Sequence, residues 1–209
     1  MEGVTLLGPV EGLEQARIMG PCVLGHPAGD VETPLVLGAG VVIRAYAVLY
    51  QGTTIGARSH IGHGALVRER NDIGEDCSIG SGAQLEPGNT VGDRSRIHSG
   101  CFLSSATVGR DVFCGPSVTF TDDPHPPCPR YLDCVRGAVV HDGATIGGGV
   151  TLLPVVVVGA KSRVGAGSVV TRSVDAGSVV AGNPARFLVL RDNIDCFAGH
   201  FPRAYAWEK

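Results

Sequence analysis

An aliphatic side chain recurs at every sixth residue over most of this chain. The count begins at Leu37, runs unbroken to Leu103, and is found again from Val140 to Val170. A period of six fits neither the 3.6-residue period of an amphipathic helix nor the simple alternation of a half-buried strand. Short extended segments joined by sharp corners do fit, because each segment then places its aliphatic residue in a shared internal column. The repeat therefore predicts an all-β solenoid of parallel strands.

The residue that follows each aliphatic indicates how many repeats make one turn. Two of every three such positions are mostly glycine, and the third set contains none. The third set is Tyr50, Arg68, Glu86, Ser104, Thr121, Leu153 and Thr171. Three sixes give a turn of eighteen residues, which predicts a triangular prism whose turns stack about 4.8 Å apart. Residues eighteen apart become neighbours, so we expect Arg68 and Glu86 to lie side by side.

One stretch, "TFTDDPHPPCPRYLDC" at residues 119–134, interrupts this pattern with four prolines, two cysteines and a histidine. The count continues up to Phe120 and restarts in the same phase at Val140, which predicts that residues 121–137 form a loop extruded from one edge. Proline fixes φ and lowers the entropy of the unfolded chain, so the loop is expected to be rigid. The predicted organisation is a lead-in (1–30), a β-helix domain (31–187) and a C-terminal extension (188–209).

Composition narrows the possible functions. The net charge of −3 and the lack of a long basic run give nucleic-acid binding little electrostatic support. No stretch approaches the roughly 20 apolar residues of a membrane-spanning helix, and the first residues do not have the features of a signal peptide. We therefore expect a cytoplasmic protein that is not in a membrane, with its seven cysteines as free thiols.

The repeats resemble the left-handed parallel β-helix of the hexapeptide-repeat acyltransferases over roughly residues 31–190. The segments "VFCGPSVTFTDD", "IGGGVTLLP", "VGAGSVVTRSV" and "VAGNPARFL" are similar to the second half of that family in order and spacing. The segments "GHGALVRERNDIG" and "RIHSG" resemble a subgroup near the N-acetyltransferases that modify amino groups of nucleotide-linked sugars. The left-handed sense of the helix is implied by this resemblance alone.

The resemblance implies a homotrimer that binds acetyl-CoA in the groove between two prisms, with the acceptor beneath the extruded loop. It places Gly148 beside the thioester and the backbone amide of Ala166 at the pantetheine arm. It places Thr171, Arg172 and Arg186 at the adenosine phosphates. Arginine suits phosphate because its planar guanidinium is permanently charged.

Transfer of an acetyl group to an amine requires a base and donors for the oxyanion that develops. His125 is the first choice for the base, because "TDDPHP" is similar to the "T-H-P" element of sugar-hydroxyl acetyltransferases of this fold. His98, which stands where the other repeats have glycine, is the second candidate. The expected acceptor-binding residues are Arg68, Glu86, Asp122 and Asp123.

The sequence thus predicts an acetyl-CoA-dependent N-acetyltransferase that acts directly on an amino sugar or a nucleotide-linked amino sugar. O-acetylation of a sugar hydroxyl, a metalloenzyme of the γ-carbonic anhydrase kind and a non-catalytic scaffold remain alternatives. No metal is expected in the site, although His125, Cys128 and Cys134 leave open a zinc ion that staples the loop.

Overall fold

The computed structural model describes residues 3–206, which form three sheets of short strands. Up to Val170, the chain adds one strand to each sheet in turn. Sheet A contains β1 (Val4–Leu6), β4 (Cys22–His26), β7 (Val48–Tyr50), β10 (Leu66–Val67), β13 (Gln84–Leu85), β16 (Phe102–Leu103), β19 (Thr119–Phe120), β22 (Thr151–Leu152) and β25 (Val169–Val170). Sheet B contains β2 (Val10–Glu11), β5 (Leu35–Leu37), β8 (Thr54–Ile55), β11 (Asp72–Ile73), β14 (Thr90–Val91), β17 (Thr107–Val108), β20 (Val139–Val140) and β23 (Val157–Val158). Sheet C contains β3 (Arg17–Met19), β6 (Val42–Arg44), β9 (His60–Ile61), β12 (Ser78–Ile79), β15 (Arg96–Ile97), β18 (Phe113–Cys114), β21 (Thr145–Ile146), β24 (Arg163–Val164), β26 (Ser178–Ala181) and β27 (Arg186–Leu190).

Every pairing between consecutive turns is parallel, and only β27 runs antiparallel, against β26. The predicted left-handed parallel β-helix is confirmed. Each turn of the prism has three corners, and the corners of successive turns stack into three edges. We name each edge after the two sheets that it joins. The AB edge includes residues 68–71, 86–89 and 104–106; the BC edge includes 56–59, 74–77 and 92–95; the CA edge includes 62–65, 98–101, 147–150 and 165–168.

The aliphatic residues of the six-residue count form the core. Each of them, from Leu37 to Val170, is buried, with Phe120 the largest side chain among them. Complete burial of one large apolar side chain is worth about 1.5–3 kcal/mol, so the stacked columns supply most of the driving force. Glycine after the aliphatic is required by close packing between turns: a Cβ on Gly80 would collide with the backbone of Ser99 in the next turn.

The prism begins before residue 31, the predicted start of the domain. Strands β1 to β4 join all three sheets, so sheet A alone contains nine strands within residues 3–206. Val4 pairs with Cys22, eighteen residues on, but Ile18 pairs with Ile43, twenty-five residues on. The seven extra residues break the six-residue count without breaking the stack, which is why the sequence pattern did not reveal the first turns.

Inside the AB edge, two stacked asparagines connect successive turns. Asn71 and Asn89 are 2% and 1% exposed. The Asn89 amide donates to Asn71 Oδ1 at 2.8 Å and to the Glu86 carbonyl at 2.5 Å. Asn89 Oδ1 accepts from the Ala106 N–H at 2.7 Å, and the Asn71 amide donates to the Arg68 carbonyl at 2.9 Å. These bonds satisfy corner groups that have no partner in the sheets, so the corner backbone is held in place.

The extruded segment occupies residues 121–138, between β19 and β20, and contains one short helix, α1 (Tyr131–Cys134). Val108 pairs with Val140 across the insertion, so the prism keeps its register. Two 3₁₀ turns, Leu13–Gln15 and Arg191–Asn193, complete the regular structure.

The C-terminal extension folds back on sheet C, where the Arg163 guanidinium lies 4.2 Å from the centroid of the Tyr205 ring. Within the described residues, no helix is long and apolar enough to cross a bilayer.

Candidate functional site

The predicted contact between Arg68 and Glu86 is present on the AB edge. Arg68 Nη1 lies 2.8 Å from Glu86 Oε2, and its Nη2 lies 3.0 Å from Glu69 Oε1. The Arg68 guanidinium also lies 5.9 Å from the centroid of the Tyr50 ring. Two carboxylates therefore surround one cation, so this cluster offers a ligand more acceptor than donor capacity.

Asp122 anchors the extruded loop to the AB edge. Its Oδ2 accepts from the Ser104 hydroxyl at 2.7 Å and from the Tyr131 hydroxyl at 2.7 Å. The hydrogen bond to this carboxylate is the main cause that raises the pKa of Tyr131 to about 12, so the phenol remains a donor at neutral pH. The side-chain hydrogen bonds to Asp122 all involve Oδ2, so Oδ1 is the atom available to a ligand.

Asp123 shapes the backbone on which His125 sits. The His125 N–H donates to Asp123 Oδ1 at 2.9 Å, and Pro124 and Pro126 restrict φ on either side. The His125 side chain is exposed, and its imidazole has no hydrogen-bond partner among residues 3–206. The loop therefore presents an imidazole whose backbone is fixed and whose ring is available.

The two loop cysteines face each other. Cys128 Sγ and Cys134 Sγ lie 3.9 Å apart, and the hydrogen bond between them is the main cause that raises the pKa of the Cys134 thiol. In the described part of the chain, no three histidine, cysteine or acidic side chains converge in a way that could hold a metal ion. His125 does not join the two cysteines in such a group.

His98 lies on the CA edge, away from Arg68 and Glu86. Six residues along the chain carry the backbone from one edge of the prism to the next, so His98 stands in a different column from Arg68 and Glu86. The exposed His98 ring packs against Phe113, with 5.0 Å between the ring centroids. Within one chain, His98 therefore does not form a cluster with Arg68 and Glu86.

The CA edge that carries His98 also carries Gly148 and Ala166. Backbone hydrogen bonds join its successive corners, including Gly167 N–H to the Gly148 carbonyl at 2.9 Å and Gly149 N–H to the Pro116 carbonyl at 2.8 Å. The N–H groups of Gly148 and Ala166 have no backbone acceptor within residues 3–206. They are therefore available as donors to a carbonyl oxygen that lies along the edge.

Arg172 and Arg186 line one cavity of 190 Å³ near the C-terminal end of the prism. Asp175 and Ser178 also line it, whereas Thr171 is exposed beside it. The two arginines are fourteen residues apart in the sequence, and the reversal of direction at β27 brings them together.

A larger groove of 730 Å³, which we name the sheet C groove, crosses the outer face of sheet C over β6, β9, β12 and β15. Its polar lining includes three arginines and three histidines: Arg44, Arg58, Arg96, His60, His63 and His98. Of these only His98 was predicted as a site residue. The eighteen-residue period indicates part of this lining, because it places His60, Ser78 and Arg96 one above another on the outer face of sheet C.

Comparisons with known proteins agree with the repeat. Residues 34–69 match the family model described as bacterial transferase hexapeptide (six repeats). A Saccharomyces cerevisiae protein named "Putative acetyltransferase YJL218W" is 35% identical over 89 residues, which cover 41% of this chain and 45% of that protein. The chain thus spans under half the length of that relative. The predicted resemblance to hexapeptide-repeat proteins is confirmed.

Two solved structures share the fold. A maltose O-acetyltransferase from Clostridium difficile 630 has a TM-score of 0.50 and 24% identity, and covers 55% of this chain and 66% of that chain. A Bacillus cereus protein, the product of the BC4754 gene, has a TM-score of 0.52 and 16% identity, and covers 84% of both chains.

Proposed function

We propose that this hexapeptide-repeat protein is an acetyl-CoA-dependent acetyltransferase that acetylates the amino group of a sugar. The observation that carries the proposal is the pair of arginines in one cavity at the C-terminal end of the prism, together with the N–H groups of Gly148 and Ala166 on the CA edge, which have no backbone acceptor within residues 3–206. This is the combination that a long ligand with phosphates at one end and a thioester at the other requires. The name and 35% identity of the yeast relative support the reaction class.

In this proposal, Arg172 and Arg186 bind the phosphates of acetyl-CoA. Their exposed guanidiniums line a cavity that also contains backbone and hydroxyl donors. The N–H groups of Gly148 and Ala166 bind carbonyl oxygens of the extended arm and of the thioester. Side chains are absent or small at these corners, so the arm is able to approach the backbone closely.

The chemical step is a direct transfer. The amine attacks the thioester carbonyl carbon, the new C–N bond forms, and the C–S bond breaks as CoA leaves as its thiolate. His125 accepts the proton that the amine loses, because a free imidazole nitrogen is a proton acceptor that general-base catalysis commonly uses. Asp122 Oδ1 and Glu86 are the acceptors that hold the amino group, and backbone N–H donors stabilise the oxyanion.

One chain does not hold all of these groups at one place. His98, Gly148 and Ala166 lie on the CA edge, whereas His125 and Glu86 lie on the AB edge. A groove between two copies, with the CA edge of one facing the AB edge of the next, would unite them. Because these two surfaces differ, the contact is heterologous, and a rotation of one third of a turn between neighbouring copies closes it into a ring of three. We therefore infer a homotrimer with three shared sites.

A mixing experiment tests the shared site. His98→Ala chains and His125→Ala chains are each expected to be nearly inactive. Random trimers from an equal mixture should regain roughly one quarter of the wild-type activity, because each site takes one histidine from each of two neighbours. No recovery, with light scattering that shows a trimer, would place both histidines in a site within one chain. Monomers at micromolar concentration would exclude the shared site altogether.

The reaction is tested by thiol release from acetyl-CoA with a panel of amino sugars and their nucleotide conjugates. Each amine is paired with the sugar that has a hydroxyl at the same carbon. Release with the amine alone supports N-acetylation, and release with the hydroxyl alone would replace it by O-acetylation. No release with any acceptor, together with no thermal shift on addition of CoA, would contradict the proposed function.

The phosphate role predicts a specific kinetic effect. Arg186→Ala should raise the KM for acetyl-CoA about tenfold with kcat unchanged, because the lost interaction, about 1.4 kcal/mol, is made equally in the ground and transition states. Arg110→Ala, which removes an exposed arginine from the BC edge, is the matched control and should leave KM unchanged. An unaltered KM in Arg186→Ala would show that this arginine does not bind the phosphates.

A further inference from the structure

Two consecutive turns leave part of the sheet C groove without side chains. Four residues at the same position of successive turns run along it: Arg44, Gly62, Gly80 and His98. The two glycines lie between the arginine and the histidine, and three strand spacings of about 4.8 Å separate those ends by roughly 14 Å. The groove is therefore an elongated trough, with a cation at one end and an imidazole at the other.

The charge of the groove is not neutralised by the protein. Arg58 pairs with both Glu75 and Asp76, at 2.6 Å and 2.7 Å. Arg96 and Arg44, by contrast, have no carboxylate within salt-bridge distance among residues 3–206, and the Arg44 guanidinium contacts the sulfur of Met19. The lining has three arginines against one aspartate, which gives a net charge of +2 before any histidine is protonated.

Arginines on the adjoining edge, unlike Arg96 and Arg44, do have carboxylate partners. On the adjoining BC edge, Arg94 pairs with Asp111 at 2.8 Å, and Arg110 lies 3.7 Å from Asp93. The same turns therefore supply acids wherever arginines stand on that edge, but not on the face of sheet C. Two unpaired guanidiniums and the hydroxyls of serines in one trough are suited to the oxygens of a phosphate or diphosphate.

The position of the groove separates it from the cavity of Arg172 and Arg186. Four strand steps along sheet C, from β15 to β26, place that cavity roughly 19 Å from the upper end of the groove. His98 belongs both to the groove and to the CA edge that leads on to Gly148. A ligand in the groove therefore points one end at the edge along which acetyl transfer is proposed.

We propose that the sheet C groove binds a phosphate-bearing acetyl acceptor, with Arg96, close to His98, as the phosphate ligand and Arg44 as a further cation at the opposite end of the groove. The inference rests on the proposed function and deepens it: the acceptor is a sugar that carries a phosphate or diphosphate, and its amino group lies at the His98 end. Ser78, on the strand between those of the two arginines, is placed to donate to the same oxygens.

The first test is direct binding of inorganic pyrophosphate by calorimetry. Since Arg172 and Arg186 offer a second phosphate site, titrations use Arg186→Ala as the reference protein. Adding Arg96→Ala to it is expected to weaken the remaining binding at least tenfold, whereas adding Arg110→Ala leaves it unchanged. Binding that is unaffected by Arg96→Ala and Arg44→Ala would overturn the assignment of the groove.

The second test is kinetic and uses glucosamine and glucosamine phosphates, including a nucleoside diphosphate glucosamine. In the wild-type protein, kcat/KM should be at least tenfold higher for a phosphorylated acceptor, and Arg96→Ala should abolish that preference without altering the KM for acetyl-CoA. Acetyl transfer with no such preference would reject the groove and leave the proposed function standing. Groove-dependent pyrophosphate binding with no transfer to any acceptor would reject the proposed function and with it the acceptor's identity.

Discussion

Replacing His125 by alanine is expected to lower kcat by about 10²–10⁴-fold, the range typical for loss of a general base. In the proposed transfer, the amine must lose a proton as the C–N bond forms, and His125 is the imidazole that the loop presents on a fixed backbone. Asp123 Oδ1 accepts its backbone N–H, and prolines flank it on both sides. Because the ring makes no hydrogen bond among residues 3–206, its removal should leave the fold intact.

The control for this variant is His141→Ala, which removes an exposed histidine from the BC edge. Circular dichroism and the midpoint of thermal unfolding should be unchanged in both proteins. The loss in His125→Ala should appear in single-turnover measurements at saturating acetyl-CoA, where binding no longer contributes. If His125→Ala kept its turnover while His98→Ala lost it, the base would be His98 and the loop would have only a binding role.

Asn89→Ala is expected to lower the free energy of unfolding by about 2–4 kcal/mol. The substitution leaves the buried Ala106 N–H without its acceptor, at a cost of about 1–3 kcal/mol, and it removes one of the two side-chain amides that donate to the Glu86 carbonyl. It also removes the amide that donates to Asn71 Oδ1. Because Glu86 belongs to the proposed acceptor site, the same change should raise the acceptor KM.

Urea unfolding monitored by circular dichroism measures the effect, with the m-value as the check that the transition is unchanged in extent. Asn193→Ala, at an exposed position in the C-terminal 3₁₀ turn, is the control and should alter stability by less than about 0.5 kcal/mol. A loss for Asn89→Ala no larger than that of the control would mean that the asparagine stack does not stabilise the corners.

The core could be predicted from the sequence because one periodic signal determines it. A residue six positions from Ile55 must be apolar whatever the details of the corners, and Ile61 through Leu103 follow that rule. The eighteen-residue period also predicted the contact between Arg68 and Glu86, because residues one turn apart stack on each other along an edge.

The site could be predicted only in part. The period determines which residues stack on one edge. It does not determine which edges of neighbouring copies approach each other, and within a single chain His98 and Arg68 lie on different edges. The cavity shared by Arg172 and Arg186 depends on the antiparallel return of β27, which no six-residue count encodes. The basic character of the sheet C groove depends on the absence of acids around Arg96, a property of neighbours in space.

The insertion at residues 121–138 leaves the register of the prism unchanged, with Val108 still paired to Val140. The entropic free-energy cost of closing such a loop grows only with the logarithm of its length, by about 0.6 kcal/mol for each doubling. The strands on either side would not have to move. The two parts of the fold therefore tolerate sequence change differently. Each stacked corner is constrained by the corners above and below it, whereas the loop can change in length and sequence without altering the prism. Under the proposed function, a change confined to this loop would alter the acceptor while the acyl donor stays the same.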